Sequence, residues 1–390
     1  MIFWILVELN YNFNNIIFSH FDDENEEKQT MLVHICCSVD SHFFLEKLQH
    51  DFPEEKLTGF FYDPNIHPYS EYRLRYLDVE RSCKKLGIDL LEGEYDFEAW
   101  MDAVRGLEKE PEKGKRCEVC FDKRFDVSAH KAVELGEKKM TTTLLVSPLK
   151  SQEQLKRVGD EFYKKNGVEF IAVDYRSGGG TQDQSRVTKE EQLYRQDYCG
   201  CIYGLTMQRE SQDKLMDEMF SPISNAVLPA SIEERLSLYG YRMQLEDKGR
   251  EYRIQKHKFL NYRQFTCKLT LGKSTPVAAY ALSYSTLSRK RAEGRIEAEI
   301  DGIFYFNREE IRFITLEKFN FLTCKSFGSV KELIYNPLSY EEEAELRFKI
   351  TKSIYDLTPI IVLDKIPDEK LTLTLDAKIY EDTKEKIIEI

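Results

Sequence analysis

The sequence predicts an α/β protein with a parallel sheet covered by helices on both faces, followed by a smaller β-rich region. Strand-like and helix-like periods alternate from Met31 to about residue 175, which is typical of parallel sheets. From Ser221 onward, strand-like runs dominate and alternate with charged segments. The 390 residues suffice for two domains of ordinary size. We therefore expect one domain over residues 31–220 and a second over 221–390, with a boundary near residues 220–230.

Five strand-like runs separated by helix-like runs make up the first domain. The predicted strands are residues 31–35, 57–62, 88–95, 140–146 and 168–174. The predicted helices are residues 42–48, 70–86, 97–107, 117–135 and 151–165. Ser70 is a suitable N-cap for the second helix. The charged segment 108–116 contains Pro111 and Gly114, which predicts a loop.

The second domain is predicted from five further strand-like runs, and its role is open. They are residues 265–271, 277–283, 296–306, 311–316 and 359–363. Residues 248–295 are rich in lysine and arginine, although the net charge of the chain is -12. This stretch is either a basic face that holds an RNA backbone or a solvated strand edge protected by cations.

The amino-terminal residues and the lack of a long apolar stretch indicate the cellular compartment of the protein. An acidic run at residues 22–27 precedes Met31, so residues 1–30 are expected to be a poorly ordered tail, or Met31 is the true start. The apolar opening, residues 1–7, is short, lacks a basic region and ends at Glu8, which is unlike a signal peptide. No stretch reaches the roughly 20 apolar residues of a membrane span. We expect a cytoplasmic protein without membrane contact.

Six of the nine cysteines lie in three close pairs, which indicates a metal site. The pairs are Cys36-Cys37, Cys117-x-x-Cys120 and Cys199-x-Cys201, and Asp40 follows the first pair. Thiolates are preferred ligands of zinc and iron–sulfur clusters, and closely spaced cysteines present two sulfurs to one metal. Disulfides are a poor alternative, because vicinal and C-x-C cysteines form strained rings and nothing marks the chain for export.

These seven candidate ligands can be divided between metals in more than one way. A zinc site or a 4Fe-4S cluster takes four thiolates, which leaves two cysteines and a carboxylate for a catalytic metal with an open position. A cluster held by three cysteines, with one exposed iron, is a second partition. A structural zinc site of Cys117, Cys120, Cys199 and Cys201 is a third, but it leaves the first pair unexplained.

Unusual residues follow four of the predicted strands at their carboxyl ends. They are Cys36-Cys37, Tyr62 to Asn65, Ser147-Pro148 and Tyr175 to Gly180. Open parallel sheets bind ligands at this edge, because the strands splay and helix N-termini point there. A glycine run lets backbone amides approach a ligand, and a nearby arginine can pair with phosphate. Beside a cysteine cluster, these features predict an anionic substrate, and RNA is a natural candidate.

Four ordered motifs over about residues 31–210 resemble the QueH family of epoxyqueuosine reductases. They are residues 33–40 (VHICCSVD), 61–68 (FYDPNIHP), 117–121 (CEVCF) and 193–201 (LYRQDYCGC). The Gly178 to Gly180 loop and Ser147-Pro148 also fit, whereas Ser38-Val39 replace the family's usual small residues after the cysteine pair. The resemblance does not extend to residues from about Ser221 onward.

The resemblance implies a fold, an activity and two iron cofactors. It implies a HUP-like, that is Rossmann-like, sheet and removal of the epoxide oxygen of epoxyqueuosine at the wobble position of tRNA, the last step of queuosine synthesis. It also implies a 4Fe-4S cluster beside a mononuclear iron, and no cobalamin. Carried over to this sequence, the metal ligands would be Cys36, Cys37, Asp40, Cys117, Cys120, Cys199 and Cys201.

Asp40 and Cys37 are the expected catalytic residues, and the resemblance implies that Asp40 is the carboxylate ligand of the mononuclear iron. A cluster supplies electrons one at a time, and an open-site iron can act as a Lewis acid on the epoxide oxygen. The wobble base has to leave the anticodon stack to reach the sheet edge. Residues expected to contact the substrate are Tyr62, Asn65, Arg176, Gly179, Tyr194, Arg195 and Tyr198. Each of these tyrosines could equally belong to the core. The expected partners are tRNA bearing epoxyqueuosine and an electron donor such as ferredoxin or flavodoxin.

Two other functions compete with a reductase. A tRNA thiolase on the same fold would have a glycine- or serine-rich phosphate loop after the first strand. This chain has the cysteine pair and Asp40 there, so ATP binding is not expected. A zinc-stabilised tRNA-binding module would be colourless and contain zinc, whereas the reductase would be brown and contain iron and acid-labile sulfide.

Overall fold

The first sheet has five parallel strands, as the alternation predicts. The structure, a computed structural model, describes residues 29–147, 151–220, 222, 224–272, 274–307, 311–353 and 355–390. The strands are β1 (Gln29–Ile35), β2 (Glu55–Phe61), β3 (Asp89–Glu92), β4 (Lys139–Thr142) and β5 (Glu169–Phe170). Their order across the sheet is β3-β2-β1-β4-β5, and every neighbouring pair is parallel. The predicted α/β class is confirmed.

Seven α-helices follow or separate these strands in the described residues up to Ser211. They are α1 (Ser38–Asp51), α2 (Tyr69–Leu86), α3 (Phe97–Ala103), α4 (Lys115–Glu134), α5 (Gln152–Asn166), α6 (Gly180–Glu190) and α7 (Ile202–Ser211). The central strand β1 is a nearly continuous apolar run because helices cover both of its faces. Its Met31, Leu32 and Val33 are fully buried and share one core with Phe44 of α1 and Phe125 of α4.

The direction of strand succession reverses at β1, which lies between β2 and β4. In doubly wound sheets, this point opens a crevice beyond the carboxyl ends of the strands. Cys36 follows β1 directly and Thr143 follows β4, and the Cys36 amide donates to Thr143 Oγ1 at 3.3 Å. The first cysteine pair therefore lies where this type of fold binds its ligands.

Several predicted elements differ in extent from the observed ones; β3, for example, ends at Glu92 rather than residue 95. β4 ends at Thr142 rather than residue 146, because the Thr142 side chain accepts from the Leu144 amide and caps a short 3-10 turn. β5 spans two residues instead of the predicted 168–174. α2 begins directly after Pro68, whose extended backbone precedes the helix, so Ser70 lies inside the first turn and is not the cap.

The amino-terminal strand begins earlier than predicted. β1 starts at Gln29, so the last two residues of the predicted tail belong to the sheet. The rest of that prediction, residues 1–28, lies outside the described part of the chain. So does Pro148, which the sequence places after β4.

The carboxyl-terminal region contains two more sheets, as its β-rich sequence predicts. Its helices are α8 (Ile232–Asp247), α9 (Leu316–Thr323), α10 (Val330–Tyr335) and α11 (Tyr340–Thr351). Its strands are β6 (Tyr252–Leu271), β7 (Thr275–Val277), β8 (Tyr280–Ala281), β9 (Arg291–Gly294), β10 (Ile296–Ile300), β11 (Ile303–Phe306), β12 (Ile311–Thr315), β13 (Ile360–Leu363) and β14 (Leu371–Glu389). The domain boundary near residues 220–230 stays a prediction. Every helix in the described residues is too short or too polar to cross a lipid bilayer.

These two sheets differ in strand direction. The sheet β10-β11-β12-β13-β8 is mixed, because β12 and β13 are parallel and its other pairs antiparallel. The sheet β7-β6-β14-β9 is antiparallel throughout. β6 and β14 pair along almost their whole lengths, from Leu271 opposite Leu371 to Tyr252 opposite Glu389. The sequence predicts only residues 265–271 of this ribbon, because charged residues interrupt the apolar pattern elsewhere.

The basic stretch 248–295 is partly neutralised by acidic partners. Its ion pairs are Arg250–Glu389, Lys258–Glu381, Arg263–Asp217, Lys290–Asp376 and Arg291–Glu293. Lys273 lies outside the described residues. For the five paired cations, the structure favours the interpretation of a charged, solvated ribbon over a dedicated RNA-binding face.

Asp78 of α2 connects three separate parts of the chain. Its buried carboxylate accepts hydrogen bonds from the Ser38 hydroxyl at the start of α1 and from the Tyr194 amide, the latter at 2.7 Å. It also forms an ion pair of 3.3 Å with Arg242 of α8. Arg242 is fully buried and donates to the Glu191 carbonyl oxygen at 2.7 Å. The carboxyl-terminal region is therefore attached to the first sheet through buried charge, in addition to the packing of α8 on α2.

Candidate metal centre and substrate cavity

One cavity of about 150 Å³ at the carboxyl edge of the first sheet brings the three cysteine pairs together. Five of the six paired cysteines line it, and they are Cys36, Cys117, Cys120, Cys199 and Cys201. Asp40 lines the same cavity. Cys37 completes the group, because its Sγ lies 3.8 Å from Cys36 Sγ. Seven potential metal ligands that are far apart in sequence are thus gathered at the predicted edge.

Cys36, Cys37 and Asp40 form the more compact part of the site. One ligand atom from each lies within 4.8 Å of the others, which is close enough for all three to hold one metal ion. Cys36 Sγ is 3.7 Å from Asp40 Oδ2 and 3.6 Å from Thr143 Oγ1. Gln184 of α6 donates to Asp40 Oδ1 at 2.9 Å and so orients the carboxylate.

The thiol of Cys37 is difficult to ionise in this site without a cation. Its hydrogen bond with Cys36, its burial and the negative charge of Asp40 raise the pKa of the Cys37 thiol well above the ordinary value. The pKa of Cys201 is raised in the same way, by its hydrogen bond with Cys199 and by burial. Because metals bind the thiolate, a metal ion entering either place would displace protons.

The other four cysteines face the cavity from two segments. Cys117 and Cys120 lie one turn apart on α4, and therefore on the same face of that helix. Cys199 and Cys201 lie in the segment that leads into α7. The Lys113 amide donates to Cys117 Sγ at 3.3 Å.

Three helices begin at the cavity, one at each cysteine pair. Cys37 is the N-cap of α1, Cys117 lies in the first turn of α4, and Cys201 is the N-cap of α7. The positive ends of helix dipoles and their unpaired amides stabilise anions. The helix N-termini therefore offset part of the cost of burying anionic ligands at the three pairs, although hydrogen bonds with Cys36 and Cys199, together with burial, still raise the pKa of the Cys37 and Cys201 thiols.

Three buried arginines add positive charge to the same cavity. They are Arg75, Arg116 and Arg124, each at most 4% exposed. Arg124 lies between the two cysteine groups: it forms an ion pair with Asp63, and the thiols of Cys120 and Cys36 help to raise its pKa. A cation in this position offsets the repulsion among several thiolates, so the site is suited to a cofactor with many anionic ligands.

Arg75 holds the loop that carries the last cysteine pair. Its guanidinium donates to the carbonyl oxygens of Tyr198 and Cys199 at 3.0 and 3.3 Å. Within that loop, Gly200 has φ +100°, a backbone conformation that favours glycine. A Cβ at Gly200 would lie 2.8 Å from Ile66 Cγ1 and 3.2 Å from Arg75 Nη1. The spacer between Cys199 and Cys201 therefore has to be glycine for two independent reasons.

We expect Gly200→Ala to lose most of the metal held by the last cysteine pair. Strain in the left-handed backbone alone costs about 1–2 kcal/mol, and the clash with Ile66 displaces the loop. Gly136→Ala is the matched control, because Gly136 also has a positive φ but an added Cβ would meet no atom within 4 Å. Metal content after anaerobic purification, with thermal unfolding, measures both variants. Full metal content in Gly200→Ala would contradict this view of the loop.

The glycine run at 178–180 has a structural role in shaping the site. Gly179 has φ +96° and precedes α6, and a Cβ on Gly180 would lie 1.9 Å from the Tyr175 carbonyl oxygen. The tight turn lets α6 pack on α1, which places Gln184 on Asp40. Arg176 donates to the Leu144 carbonyl oxygen at 3.2 Å. Burial lowers the pKa of this guanidinium, and the negative charge of Asp40 opposes the shift.

The predicted substrate residues do not all reach the cavity. Asn65 and Tyr198 line it, and the Tyr198 hydroxyl donates to the His67 carbonyl oxygen at 2.7 Å. Tyr62 and Tyr194 are buried, and their hydroxyls donate to Asp96 and Glu71, both at 2.8 Å. These two tyrosines do not line the cysteine cavity; Tyr194 belongs to a packed cluster with α8. Arg195 is exposed and borders a separate cavity together with Tyr194.

Several residues of the site were not predicted from the sequence. They are Asp63, Arg75, Trp100, Arg116, Arg124 and Gln184. Two had a local signal, because Asp63 lies inside the 61–68 motif and Arg116 precedes Cys117. The others lie on helices whose orientation the sequence pattern does not specify, and only the packing of those helices brings them to the cavity.

Comparisons with known proteins identify a family. The family model described as epoxyqueuosine reductase QueH matches residues 31–207. The epoxyqueuosine reductase QueH of Helicobacter pylori is 40% identical in an alignment of 370 positions that covers 90% of this chain and 98% of that protein. The same enzyme of Thermotoga maritima is 35% identical over 189 residues, which are 48% of this chain and 95% of that protein. The match to the first relative extends well beyond the residues of the family model.

A solved structure, the U34-tRNA thiolase NcsA from Methanococcus maripaludis with its 4Fe-4S cluster, is also similar. The structural alignment covers 56% of this chain and 74% of the thiolase chain, with a TM-score of 0.32 and 11% sequence identity. A likeness this weak carries no argument about the present protein. The match to the H. pylori relative, in contrast, covers nearly the full length of both proteins at 40% identity. The chain therefore belongs to the QueH family of epoxyqueuosine reductases.

Proposed function

We propose that this protein reduces epoxyqueuosine to queuosine at the wobble position of tRNA, the last step of queuosine synthesis. The reaction takes up two electrons and two protons, releases the epoxide oxygen as water and leaves an alkene. The observation that carries the proposal is the cavity itself, where five paired cysteines and Asp40 meet at the ligand-binding edge of a doubly wound sheet. Family membership supports the same activity.

We propose that Cys117, Cys120, Cys199 and Cys201 hold a 4Fe-4S cluster, and that Cys36, Cys37 and Asp40 hold a mononuclear iron. The donor set fits both groups: four thiols lie on two segments that face one cavity, and a compact group of two thiols and a carboxylate lies beside them. When bound, the two iron centres would supply electrons and a Lewis acid for the epoxide oxygen.

The protein's own side chains would bind and orient the substrate. Asn65 is 3% exposed, and its Oδ1 has no hydrogen-bond donor among the described residues, so it can accept from an N–H or O–H of the modified base. Arg124 Nε is likewise buried without an acceptor among those residues. Between the two cysteine groups, this N–H can stabilise negative charge that develops on the departing oxygen. Arginine stays protonated, so it would donate a hydrogen bond rather than transfer a proton.

The partners follow from the chemistry. The substrate is tRNA, whose wobble base has to turn out of the anticodon stack to reach the cavity. We propose a one-electron carrier such as ferredoxin or flavodoxin as the reductant, no requirement for cobalamin, and the cytoplasm as the compartment. Tyr198, the predicted aromatic residue that lines the cavity, is the proposed platform on which the extruded base would stack.

An anaerobic assay tests the proposed function. We expect the brown protein, reconstituted with iron and sulfide, to convert epoxyqueuosine in tRNA to queuosine with dithionite as reductant and without cobalamin. Mass spectrometry of the digested nucleosides follows the loss of one oxygen atom. Colourless protein that contains zinc and binds tRNA without conversion would instead indicate a zinc-stabilised binding module. A sulfur-containing nucleoside formed with ATP would indicate a thiolase.

A further inference from the structure

Trp100 on α3 has a buried indole N–H that lacks an acceptor within the described part of the protein. The side chain is 0% exposed, and Nε1 makes no hydrogen bond with any of the described residues. A buried donor without an acceptor destabilises a folded protein, and such donors are uncommon enough to require an explanation. Trp100 lines the same cavity as the four cysteines of the proposed cluster.

The packing around Trp100 fixes the position of the ring. It stacks on Phe97 of the same helix with the ring centroids 5.9 Å apart, and it meets Tyr203 of α7 at 6.2 Å. The same apolar cluster includes Cys120 from the second cysteine pair and Cys201 from the third. The indole is therefore held between α3 and α7 at the wall that carries the sulfur atoms.

Two polar side chains near the ring, those of Tyr203 and Arg116, are directed elsewhere. The Tyr203 hydroxyl is directed to Met101 Sδ at 3.6 Å. Arg116 offers only donors, and its Nη1 is bound to carbonyl oxygens of the loop before α4, including that of Glu108 at 2.8 Å. The polar atom of Trp100 is thus the feature that packing alone does not explain.

We infer that the Trp100 indole N–H donates a hydrogen bond to a sulfur atom of the cluster held by Cys117, Cys120, Cys199 and Cys201, and so raises the reduction potential of that cluster. The inference rests on the proposed function, which supplies the cluster. Hydrogen bonds to sulfur stabilise the more negative, reduced state, and they are one of the means by which proteins set cluster potentials. Trp100 would act as a tuning residue and would not contact the substrate.

Trp100→Phe tests the inference by removing the N–H and keeping an aromatic ring. We expect normal iron and sulfide content. The equilibrium constant for one-electron reduction of the cluster should fall by up to about tenfold, which lowers the reduction potential by up to about 59 mV. A redox titration followed by the EPR signal of the reduced cluster measures the shift. Tyr203→Phe is the matched control, because it alters a ring at the same wall whose hydroxyl is directed elsewhere, and we expect its potential to stay at the wild-type value.

Isotope labelling gives a second measurement that does not depend on the potential. The chain has two tryptophans, Trp4 and Trp100, so protein grown with ¹⁵N-indole tryptophan carries few labels. We expect a ¹⁵N coupling to the reduced cluster in pulsed EPR of the wild type and of Trp4→Phe, and none in Trp100→Phe. An uncoupled nitrogen, or an unchanged potential in Trp100→Phe, overturns the role of Trp100 and leaves the proposed function intact. Absence of iron and sulfide from the wild type overturns the proposed function as well.

Discussion

Replacing Cys199 by serine is expected to remove most of the cluster iron and to reduce queuosine formation at least about 100-fold. A hydroxyl is a poor substitute for a soft thiolate, and no second thiol can take its place, because the other three cysteines of the group occupy their own positions at the cavity wall. Iron and sulfide analysis, the visible absorption and the nucleoside assay measure the effect. The same loss is expected for Cys117, Cys120 and Cys201.

The isolated cysteines provide the control for this series. Cys324 is exposed and lies outside the cysteine cavity, so Cys324→Ser is expected to keep wild-type iron, colour and activity. Cys267, in the carboxyl-terminal ribbon, gives a second control that is partly buried. A Cys199→Ser protein with normal iron and full activity would refute the assignment of this cysteine to the cluster.

Asp40→Ala is expected to separate the two proposed metals. If this carboxylate holds the mononuclear iron with Cys36 and Cys37, its removal should release about one metal equivalent and leave the cluster absorption in place. Activity should fall at least about 100-fold, because the reacting centre would lose a ligand while the electron supply remained. Metal analysis, absorption spectra and the nucleoside assay on one preparation distinguish the two sites.

A nearby carboxylate gives the control for this second prediction. Asp183 lies on α6, one residue before Gln184, but its side chain is half-exposed and pairs with Arg186 at 3.8 Å. Asp183→Ala should therefore keep both metals and the activity. If Asp40→Ala instead loses all of its iron, Asp40 supports the cluster or the fold, and the assignment of a separate mononuclear site is wrong.

Much of the fold could be predicted because the first domain repeats one simple pattern. β1 is recognisable as a buried strand from its apolar run, and the position of Cys36 at its end follows directly. The place of the first cysteine pair was predictable, since a parallel sheet collects its strand ends at one edge, but the other two pairs reach that edge through the packing of α4 and α7, which strand order does not predict. The lengths of β4 and β5 were not, because Thr142 uses its side chain to start a turn inside an apolar segment.

The division of the aromatic residues shows where sequence reasoning fails. Tyr194 and Tyr198 are in one motif four residues apart, yet Tyr198 faces the cavity and Tyr194 does not. Tyr194 is covered by α8, where Arg235 lies over its ring at 5.4 Å and Tyr239 packs on its edge. α8 lies beyond the segment that carries the motifs, so a pattern confined to residues 31–210 contains no signal for this burial. Arg124 and Trp100 are similar cases, since their contacts depend on how distant helices pack.

The carboxylate of Asp78 couples the stability of the first sheet's helices to that of the carboxyl-terminal region. It neutralises Arg242 of α8, and it also holds Ser38, the residue next to Cys37, and the amide of Tyr194. A chain truncated before α8 would leave this buried carboxylate without the Arg242 guanidinium. Breaking a buried ion pair in this way lowers the free energy of unfolding by about 3–5 kcal/mol. The Thermotoga maritima relative aligns over 95% of its own length with 48% of this chain, so it is too short to contain an equivalent of the whole carboxyl-terminal region. Excision of residues 221–390 is therefore expected to destabilise the start of α1, beside Cys37, and not to leave the first sheet and its cysteine cavity unchanged.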